Sequence, residues 1–476
     1  MAPDAASRYR STRGGGEVCD FAQALLNPRP PDGGLYVPEG LPHFGPDELE
    51  ELHRLSYLQL AERIIAPFIG DALAAGELAG VLARAYRGFE HEEVVRLRAL
   101  DGGTLHGGPL HLLELFHGPT LAFKDVALQL LGTLLDDILS RQGQRRLILT
   151  ATSGDTGSAA IEACRNCARL DIAVLFPHER ITEFQRRQMT SVQQDNVLCL
   201  AVRGDFDDCQ NLLKAALGRG EALTGAALMT VNSINWARLM AQVVYYFYAG
   251  LRLDQGGGVN FAVPTGNFGN IYAGVLAGRM GLPVRRLLLA TNRNDILHRA
   301  LVGNDYSRVQ VQGSVAPSMD ISIASNFERL VHFLTDAQTT ARLQAEFAES
   351  GVLALPDAAW QCARELFASS RWDDDGILQA MQQGQQRYGV VLDPHTAAAL
   401  AAAQQYGDEH PTAVLATAHP AKFSEALVRA GLGEFTAEAD TRLATLRERG
   451  ERFEVIDPDL DSLQKALGGS SLGGLG

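Results

Sequence analysis

The segment RRLILTATSGDTGSAA, residues 145–160, is the clearest guide to the fold of this chain. Its first half is a short and almost unbroken apolar run, which is typical of a strand buried on both faces of a parallel sheet. The glycine-rich TSGDTG that follows predicts a turn into a helix. A strand, a glycine turn and a helix in this order predict one unit of an α/β fold.

Six further segments repeat this pattern of a short apolar run followed by a turn or a helix. The predicted strands are LDIAVLFP (170–177), NVLCLAVRG (196–204), LMTVNSI (228–234), VNFAVPT (259–265), RRLLLATN (285–292) and TAVLATAHP (412–420). Helical patterns separate them, so we predict an α/β architecture with mostly parallel sheets. Ligands bind beyond the carboxyl ends of the strands in such folds, so the residues after each strand are the candidates for a functional site.

The two ends of the chain have a different character from this strand-rich part. Residues 1–95 are mostly helical and irregular, with a Pro/Gly-rich loop at 30–42, and we interpret them as an N-terminal helical subdomain. Residues 96–435 form the predicted α/β core with two lobes. Residues 436–476 are charged, end in GGSSLGGLG and are predicted to be a C-terminal extension with a flexible tail.

The composition excludes several classes of protein. The 476 residues are 46% hydrophobic and 21% charged, which provides for a sizeable core and excludes a mainly disordered chain. The net charge of −14 argues against a nucleic-acid-binding surface, and no apolar run predicts a membrane-spanning helix. The six cysteines are too few for a disulfide scaffold, and no second pair or nearby set of histidines completes a zinc site with Cys164 and Cys167. We therefore expect no metal site. The N-terminus has no apolar signal core, so we expect a cytoplasmic protein.

The segment HGPTLAFKDVALQLLGTLL, residues 117–135, contains the strongest candidate for a nucleophile. The chain has four lysines, Lys124, Lys214, Lys422 and Lys465. Lys124 stands at the head of an apolar helical stretch, and a buried lysine loses its charge readily, which suits Schiff-base formation. For a single lysine considered alone, the commoner arrangement is a packed stem with the amine in solvent.

Three loops after predicted strands are candidates for anion binding. In TSGDTGSAA (152–160) and PTGNFGN (264–270), the glycines allow backbone N–H groups to approach a ligand at the start of a helix. In NSINWARLMAQ (232–242), amide, hydroxyl and guanidinium groups cluster where a strand becomes a helix, which suits a phosphate or a carboxylate. Each pattern alone fits an ordinary strand–turn–helix junction or helix cap equally well.

Taken together, seven segments resemble the threonine synthase family, whose members are pyridoxal-phosphate enzymes of fold type II, the fold of tryptophan synthase β. The resemblance spans residues 8–430, and its segments follow the order of the family. They are YRSTRG (9–14), PPDGGLYVPE (30–39), HGPTLAFKD (117–125), TSGDTGSAA (152–160), NSINWAR (232–238), PTGNFGN (264–270) and ATAHPAKF (416–423). The two N-terminal segments separate this family from relatives that share the lysine and the phosphate loops.

The resemblance implies a role for each matching residue. Lys124 would bind pyridoxal 5'-phosphate covalently, and Thr417 would face the pyridine nitrogen of the cofactor. The cofactor phosphate would be held by Gly266, Asn267, Phe268, Gly269 and Asn270. The loop formed by Ser153, Gly154, Asp155 and Thr156 would hold the substrate carboxylate and the hydroxyl side of the cofactor ring. The substrate phosphate would be bound by Asn232, Ser233, Asn235 and Arg238.

Many relatives have Asn at the position of Asp155, although Asp also occurs in threonine synthases. A carboxylate close to both a phenolic oxygen and a substrate carboxylate is electrostatically unfavourable.

The resemblance also implies a reaction, the conversion of O-phospho-L-homoserine and water to L-threonine and phosphate. This chemistry needs one phosphate site for the cofactor and one for the substrate, and the sequence offers two separate donor-rich segments. Three alternatives remain open. A phospho-lyase would release 2-oxobutyrate from the same substrate, a serine or threonine dehydratase would not need Arg238 with Asn232 and Ser233, and a non-catalytic binding protein would not need Lys124. A monomer or a homodimer is expected.

Overall fold

The computed structural model describes residues 6–105, 107–152, 154–470 and 472. Within them the chain forms sixteen strands and twenty α-helices. The strands are β1 (Arg8–Ser11), β2 (Cys19–Asp20), β3 (Tyr36–Pro38), β4 (Arg96–Leu105), β5 (Gly108–Glu114), β6 (Arg146–Ala151), β7 (Leu170–Pro177), β8 (Val197–Val202), β9 (Leu228–Met229), β10 (Val259–Pro264), β11 (Val284–Thr291), β12 (Tyr306–Ser307), β13 (Val352–Leu353), β14 (Phe367–Arg371), β15 (Thr412–Ala416) and β16 (Glu454–Ile456).

The helices complete the list of elements. They are α1 (Phe21–Leu26), α2 (Pro46–His53), α3 (Tyr57–Ile69), α4 (Glu77–Ala85), α5 (Lys124–Gln142), α6 (Asp155–Cys164), α7 (Glu183–Thr190), α8 (Phe206–Arg219), α9 (Glu221–Thr224), α10 (Trp236–Leu253), α11 (Gly269–Arg279), α12 (Ile296–Gly303), α13 (Phe327–Leu334), α14 (Ala337–Ser350), α15 (Asp357–Leu366), α16 (Asp374–Tyr388), α17 (Pro394–Tyr406), α18 (Ser424–Arg429), α19 (Ala437–Arg447) and α20 (Leu460–Gly468).

The chain divides into two compact units. Unit 1 comprises Met1–Ala79, Glu90–His117 and Ser233–Thr436, and unit 2 comprises Gly80–Phe89, Gly118–Asn232 and Ala437–Gly476. Each unit has its own main sheet.

The main sheet of unit 1 has six strands in the order β14-β11-β10-β15-β5-β4. Strand β4 is antiparallel to β5, and the other pairs are parallel. Ala262 of β10 pairs with Leu288 of β11 and Val414 of β15, and all residues of β10 and β15 are buried. The alanine-rich α17 packs against β10, β11 and β15. Because β10 and β15 are parallel neighbours, the loop after β10 and Thr417 after β15 begin at the same edge of the sheet.

The N-terminal region of unit 1 contains a small antiparallel sheet in the order β2-β1-β3. Tyr9 of β1 is fully buried, and its hydroxyl donates to the carbonyl of Phe68 at the end of α3 (2.8 Å). The expectation that residues 1–95 are mostly helical and irregular missed this sheet. Its strands have two to four residues, which is too short to produce a readable alternation of polar and apolar positions.

The sheet of unit 2 has five parallel strands in the order β16-β8-β7-β6-β9. All eight residues of the central β7 are buried, and its Ile172 pairs with Ile148 on one side and Val197 on the other. Strands β6 and β9 are neighbours, so the loop after Ala151 and the segment after Met229 start at the same edge. Strand β16 shows that part of the C-terminal extension joins this sheet.

The prediction of an α/β fold with parallel sheets is confirmed, and each of the seven predicted segments contains or largely coincides with a strand. Segment 228–234 is a strand over two residues only, because a turn at Ser233–Ile234 leads directly into α10. Strands β4, β5 and β14 were not predicted. Most of the predicted flexible tail, residue 471 and residues 473–476, lies outside the described residues.

Two helices are long, α5 with 19 residues and α10 with 18, and α10 is buried along almost its whole length. Across the described ranges, no single helix has both the length and the apolar composition needed to cross a membrane. One bent pair of helical segments, Tyr57–Ala72 and Glu77–Tyr86, meets that test when the two are taken together.

Candidate active site

Lys124 is the first residue of α5 in unit 2. Its side chain is 12% exposed, and its Nζ lies 3.4 Å from Oδ2 of Asp155. The next residue, Asp125, is fully buried and accepts hydrogen bonds from the backbone N–H (2.7 Å) and the hydroxyl (2.8 Å) of Thr120. The segment before the lysine is therefore tied to the start of the helix, which fixes the point from which the lysine extends.

Hydrogen bonds within the loop that carries Asp155 hold its backbone in place. Thr152 Oγ1 accepts hydrogen bonds from the N–H groups of Gly154 (2.9 Å) and Gly157 (3.0 Å). Gly154 has a φ of +149°, and a Cβ at this position would lie 2.4 Å from Nε2 of Gln185, so only glycine fits. Asp155 then begins α6 and is buried.

Gln185 of α7 completes the surroundings of Asp155. Its Nε2 donates to Oδ1 of Asp155 (3.3 Å), while Oδ2 faces the amine of Lys124. The two oxygens of Asp155 are thus engaged by two different elements of unit 2. Thr156 is half-buried in the first turn of α6, and Ser153 lies outside the described residues.

The glycine loop of unit 1 follows β10. Phe268 is buried in the left-handed conformation (φ +63°), and a Cβ at Gly266 would lie 2.8 Å from the carbonyl oxygen of Ser318. In the described part of the chain, no backbone carbonyl accepts from the N–H groups of Gly266, Asn267 or Phe268. Gly269 and Asn270 open the eleven-residue α11, where N–H groups have no intrahelical partner. Five successive N–H groups therefore suit an anion.

Asn270 gives a direct test of whether this loop fits a phosphate-bearing cofactor. Its Oδ1 accepts from the hydroxyls of Tyr245 (2.6 Å) and Tyr246 (3.2 Å), which sets the orientation of the amide. Its Nδ2 is buried and has no hydrogen-bond partner among the described residues. A buried amide donor without an acceptor is rare in proteins, and a bound anion would supply the acceptor. The residues present therefore fit such a group.

Thr417 lies at the end of β15, at the same sheet edge as the glycine loop, and is 6% exposed. Its backbone N–H donates to Oγ1 of Thr396 (3.1 Å), whose hydroxyl in turn donates to the buried Asp393. His395 donates from Nδ1 to Asp393 (2.8 Å), and its Nε2 accepts from the backbone N–H of Ser318 (3.1 Å). Asp393 thus connects the backbone of Thr417 with Ser318, the residue whose carbonyl lies close to Gly266.

The predicted substrate-phosphate residues lie around the start of α10. Ser233 Oγ is 2.7 Å from Oγ of Ser325. Arg238, in the first turn of α10, is 4% exposed, and burial lowers its pKa to about 10, so it keeps its charge at neutral pH. Asn235 caps the helix through Oδ1 to the N–H of Ala237 (3.0 Å), and its Nδ2 donates to the carbonyl of Leu25 (3.0 Å). Asn232 is half-buried and is the last residue of this segment of unit 2.

The structure thus brings together several of the predicted residues within each unit. In unit 2 it pairs Lys124 with Asp155, and in unit 1 it joins Ser233 to Asn267 through Ser325. Sequence reasoning missed Gln185, Asp393, His395, Ser325 and Asn326. Of these only Asp393 had a local signal, because an Asp before Pro-His-Thr is a typical helix cap.

Comparisons with known proteins agree with this arrangement. The family model described as pyridoxal-phosphate dependent enzyme matches residues 90–418. Models described as threonine synthase N terminus and threonine synthase, C-terminal match residues 8–86 and 396–467.

Individual relatives match over nearly the whole chain. The threonine synthase of Pseudomonas aeruginosa is 47% identical over 462 residues, which cover 96% of this chain and 97% of the relative. The crystal structure of PLP-bound threonine synthase from Brucella melitensis has a TM-score of 0.91 at 41% identity, covering 97% of this chain and 98% of that one. The structure of threonine synthase from yeast also has a TM-score of 0.91, at 34% identity, covering 98% and 99%. The chain therefore belongs to the threonine synthase family of pyridoxal-phosphate-dependent enzymes.

Proposed function

We propose that this protein converts O-phospho-L-homoserine and water to L-threonine and phosphate, the last step of threonine biosynthesis. The observation that carries the proposal is that unit 1 has two separate sets of donors that suit an anion. One is the glycine loop with the Nδ2 of Asn270, which has no partner among the described residues, and the other comprises the buried Arg238 and Ser233. A cofactor phosphate would occupy only one of them, which leaves the other for the phosphate of the substrate.

We assign the cofactor to the residues that suit it. Lys124 would bind it covalently, and the N–H groups of Gly266–Asn270 would bind its phosphate. Thr417 would offer a hydroxyl to the pyridine nitrogen, and a hydroxyl does not stabilise a protonated nitrogen as a carboxylate does. When bound, pyridoxal phosphate supplies the electron sink that makes protons at Cα and Cβ of an amino acid acidic.

Lys124 is the group that moves these protons. Its amine would serve as the general base for the proton at Cα of the substrate. Asp155 accepts a hydrogen bond from that amine, and Gln185 holds Asp155 in place, so the lysine is kept in one position. Ser153, Gly154 and Thr156 are proposed to bind the carboxylate of the substrate.

Arg238 and Ser233, together with Asn232, bind the phosphate that leaves. The bond between Cγ and the bridging oxygen breaks, so phosphate departs with all four of its oxygens. A proton is added at Cγ, water then adds its hydroxyl group to Cβ, and a proton returns to Cα. Of the three protons released, from Cα, Cβ and water, the third goes to the departing phosphate. A buried guanidinium stabilises the charge that develops on the leaving phosphate. Asn235 is proposed to position this segment, because both ends of its amide are engaged within the protein.

Three further features belong to the proposal. They are the cytoplasmic location, a monomeric or homodimeric state, and the division into residues 1–95, 96–435 and 436–476. Fractionation of the source cells, sedimentation of the purified protein and limited proteolysis test these features one by one.

Product analysis tests the proposed reaction. The purified, cofactor-loaded protein is incubated with O-phospho-L-homoserine, and phosphate, threonine and 2-oxobutyrate are measured together. We expect phosphate and threonine in equal amounts. Phosphate matched by 2-oxobutyrate would instead identify a phospho-lyase with the same binding residues, and no phosphate release would rule out the substrate.

A further inference from the structure

The segment Ser325–Arg329, with the sequence SNFER, lies at the junction of the two predicted phosphate loops of unit 1. It leads into α13 and follows no predicted strand. Asn267 belongs to the glycine loop. Ser233 and Ile234 belong to the loop before α10, which carries predicted substrate-phosphate residues and is called the substrate-phosphate loop. Side chains of the SNFER segment contact both loops.

Asn326 makes the central connection. It is fully buried, and its Nδ2 donates to the carbonyl oxygens of Ser233 and Asn267, both at 3.1 Å. Its backbone N–H also donates to the carbonyl of Asn267 (3.1 Å). One amide group therefore holds the backbones of both loops.

Arg329 fixes the orientation of that amide. Its guanidinium is fully buried and donates to Oδ1 of Asn326, so Nδ2 must face the two loop carbonyls. It also donates to the carbonyl of Ile234 (2.6 Å) and, through two nitrogens, to the carbonyl of Tyr36 (2.9 and 3.1 Å). The substrate-phosphate loop is thus tied to the SNFER segment at two successive carbonyls, those of Ser233 and Ile234.

Ser325 adds a side-chain link between the same loops. Its Oγ lies 2.7 Å from Oγ of Ser233 and donates to Oδ1 of Asn267 (3.3 Å). On the other side of the segment, Glu328 accepts from the hydroxyl of Thr12 (2.6 Å) and from two nitrogens of Arg13 (2.8 and 2.9 Å). The N-terminal motif YRSTRG therefore anchors the segment from outside the loops.

We propose that Asn326 is a positioning residue, which sets the separation between the loop for the cofactor phosphate and the loop for the substrate phosphate. The inference rests on the proposed function. The bond that breaks joins Cγ to the phosphate, so the distance between the two bound phosphates determines where Cβ and Cγ lie relative to the cofactor. A displacement of about 1 Å costs on the order of 100-fold in rate.

The test compares Asn326→Ala with Asn304→Ala in the cofactor-loaded enzyme. Asn304 serves as the control, because its amide also makes two hydrogen bonds to backbone groups, the carbonyl (2.9 Å) and the N–H (2.8 Å) of Leu355, and neither Asn304 nor Leu355 belongs to the two loops. Binding of inorganic phosphate is measured by calorimetry, binding of L-threonine by the change in cofactor absorbance, and KM and kcat with O-phospho-L-homoserine.

We expect Asn326→Ala to weaken inorganic phosphate binding and to raise KM by at least about tenfold, with a lower kcat. L-threonine carries no phosphate, so its binding should change less than about threefold. Asn304→Ala should lower the melting temperature and leave all these constants near those of the parent. Equal effects of the two variants on phosphate binding and KM would overturn the inference.

A second variant keeps the inference testable if Asn326→Ala does not fold. Ser325→Ala removes one hydroxyl at a half-buried position, and we expect it to weaken phosphate binding by about threefold. An unchanged affinity in this variant would contradict the link between the loops. Phosphate binding needs no turnover, so a failure of the proposed reaction and a failure of this inference give different results.

Discussion

Neighbouring residues fix the position of the Lys124 side chain. Asp125 ties the preceding segment to the helix through Thr120, and Asp155 faces the amine. The local sequence predicted the position at the head of a helix. It could not predict the partner of the amine, because Asp155 lies 31 residues further along the chain.

Replacing Lys124 tests its assignment as the residue that binds the cofactor. Lys124→Ala should lose the visible absorbance of lysine-bound cofactor after free cofactor is removed, while Lys214→Ala, at an exposed position of α8, should keep it. Borohydride reduction followed by peptide mapping should find the cofactor on Lys124 in the parent. An adduct on Lys214 or Lys422 would contradict the assignment.

Arg238 is proposed to bind the phosphate of the substrate and not that of the cofactor, so its replacement distinguishes the two sites. A hydrogen-bonded charge pair contributes roughly 1.5–3 kcal/mol, so Arg238→Ala should raise KM for O-phospho-L-homoserine by about 10- to 100-fold. The cofactor absorbance should stay intact, and Arg238→Lys should give an intermediate KM, because lysine keeps the charge without the planar fork. Loss of the cofactor with unchanged substrate affinity would mean that the two phosphate sites had been interchanged.

Among the elements, α7 connects the C-terminal extension to the lysine within unit 2. Its Gln185 reaches Asp155, and its Gln188 donates to the carbonyl of Thr120 (3.3 Å). On its other side, Arg186 pairs with Glu451 of the extension (2.9 Å). The extension therefore stabilises the helix that orders the surroundings of Lys124.

The ion pair between Glu183 of α7 and Arg447 of α19 gives this contact a pH dependence. The hydrogen bonds from Arg447, followed by those from Arg187, lower the pKa of Glu183 from 4.5 to about 2. A carboxyl with a depressed pKa in the folded state contributes stability above its unfolded pKa and loses it as the pH falls towards the folded value. The stabilisation of the folded state by the ionised Glu183 is therefore full above about pH 4.5 and disappears near pH 2.

Thermal unfolding of the parent and of Glu183→Gln measures this contribution. At neutral pH the parent should melt higher by on the order of 1–2 °C, since the pair is partly exposed. The difference should shrink steadily below about pH 4.5. A difference that grows as the pH falls would contradict the assigned pairing.

The elements also show which parts of the fold the sequence could predict. Buried parallel strands such as β7 have continuous apolar runs, and all seven that were predicted are present. Edge strands such as β4, RLRALDGGTL, carry charged and glycine residues because only part of their surface is buried, so they lack that signal. The contacts of Asn326 were unpredictable for another reason, because they join positions 59 and 93 residues away.

At the scale of the whole molecule, each of the two units has one main sheet, which is parallel except for β4 of unit 1, with loops at its carboxyl edge. Unit 2 contains Lys124 and Asp155, and unit 1 contains the glycine loop, Thr417 and the segment with Arg238. The loops were predictable because they follow strands. The side chains that order them, such as Gln185 and Asn326, come from segments distant in sequence, so no local pattern marks them.

The central claim is that water adds to Cβ after phosphate has left Cγ, and the fate of the water oxygen tests it most directly. The reaction is run in water enriched in oxygen-18 with O-phospho-L-homoserine, and both products are analysed by mass spectrometry. We predict threonine with one labelled oxygen, in its hydroxyl group, and phosphate without label. Labelled phosphate with unlabelled amino acid would show hydrolysis at phosphorus and would contradict the account.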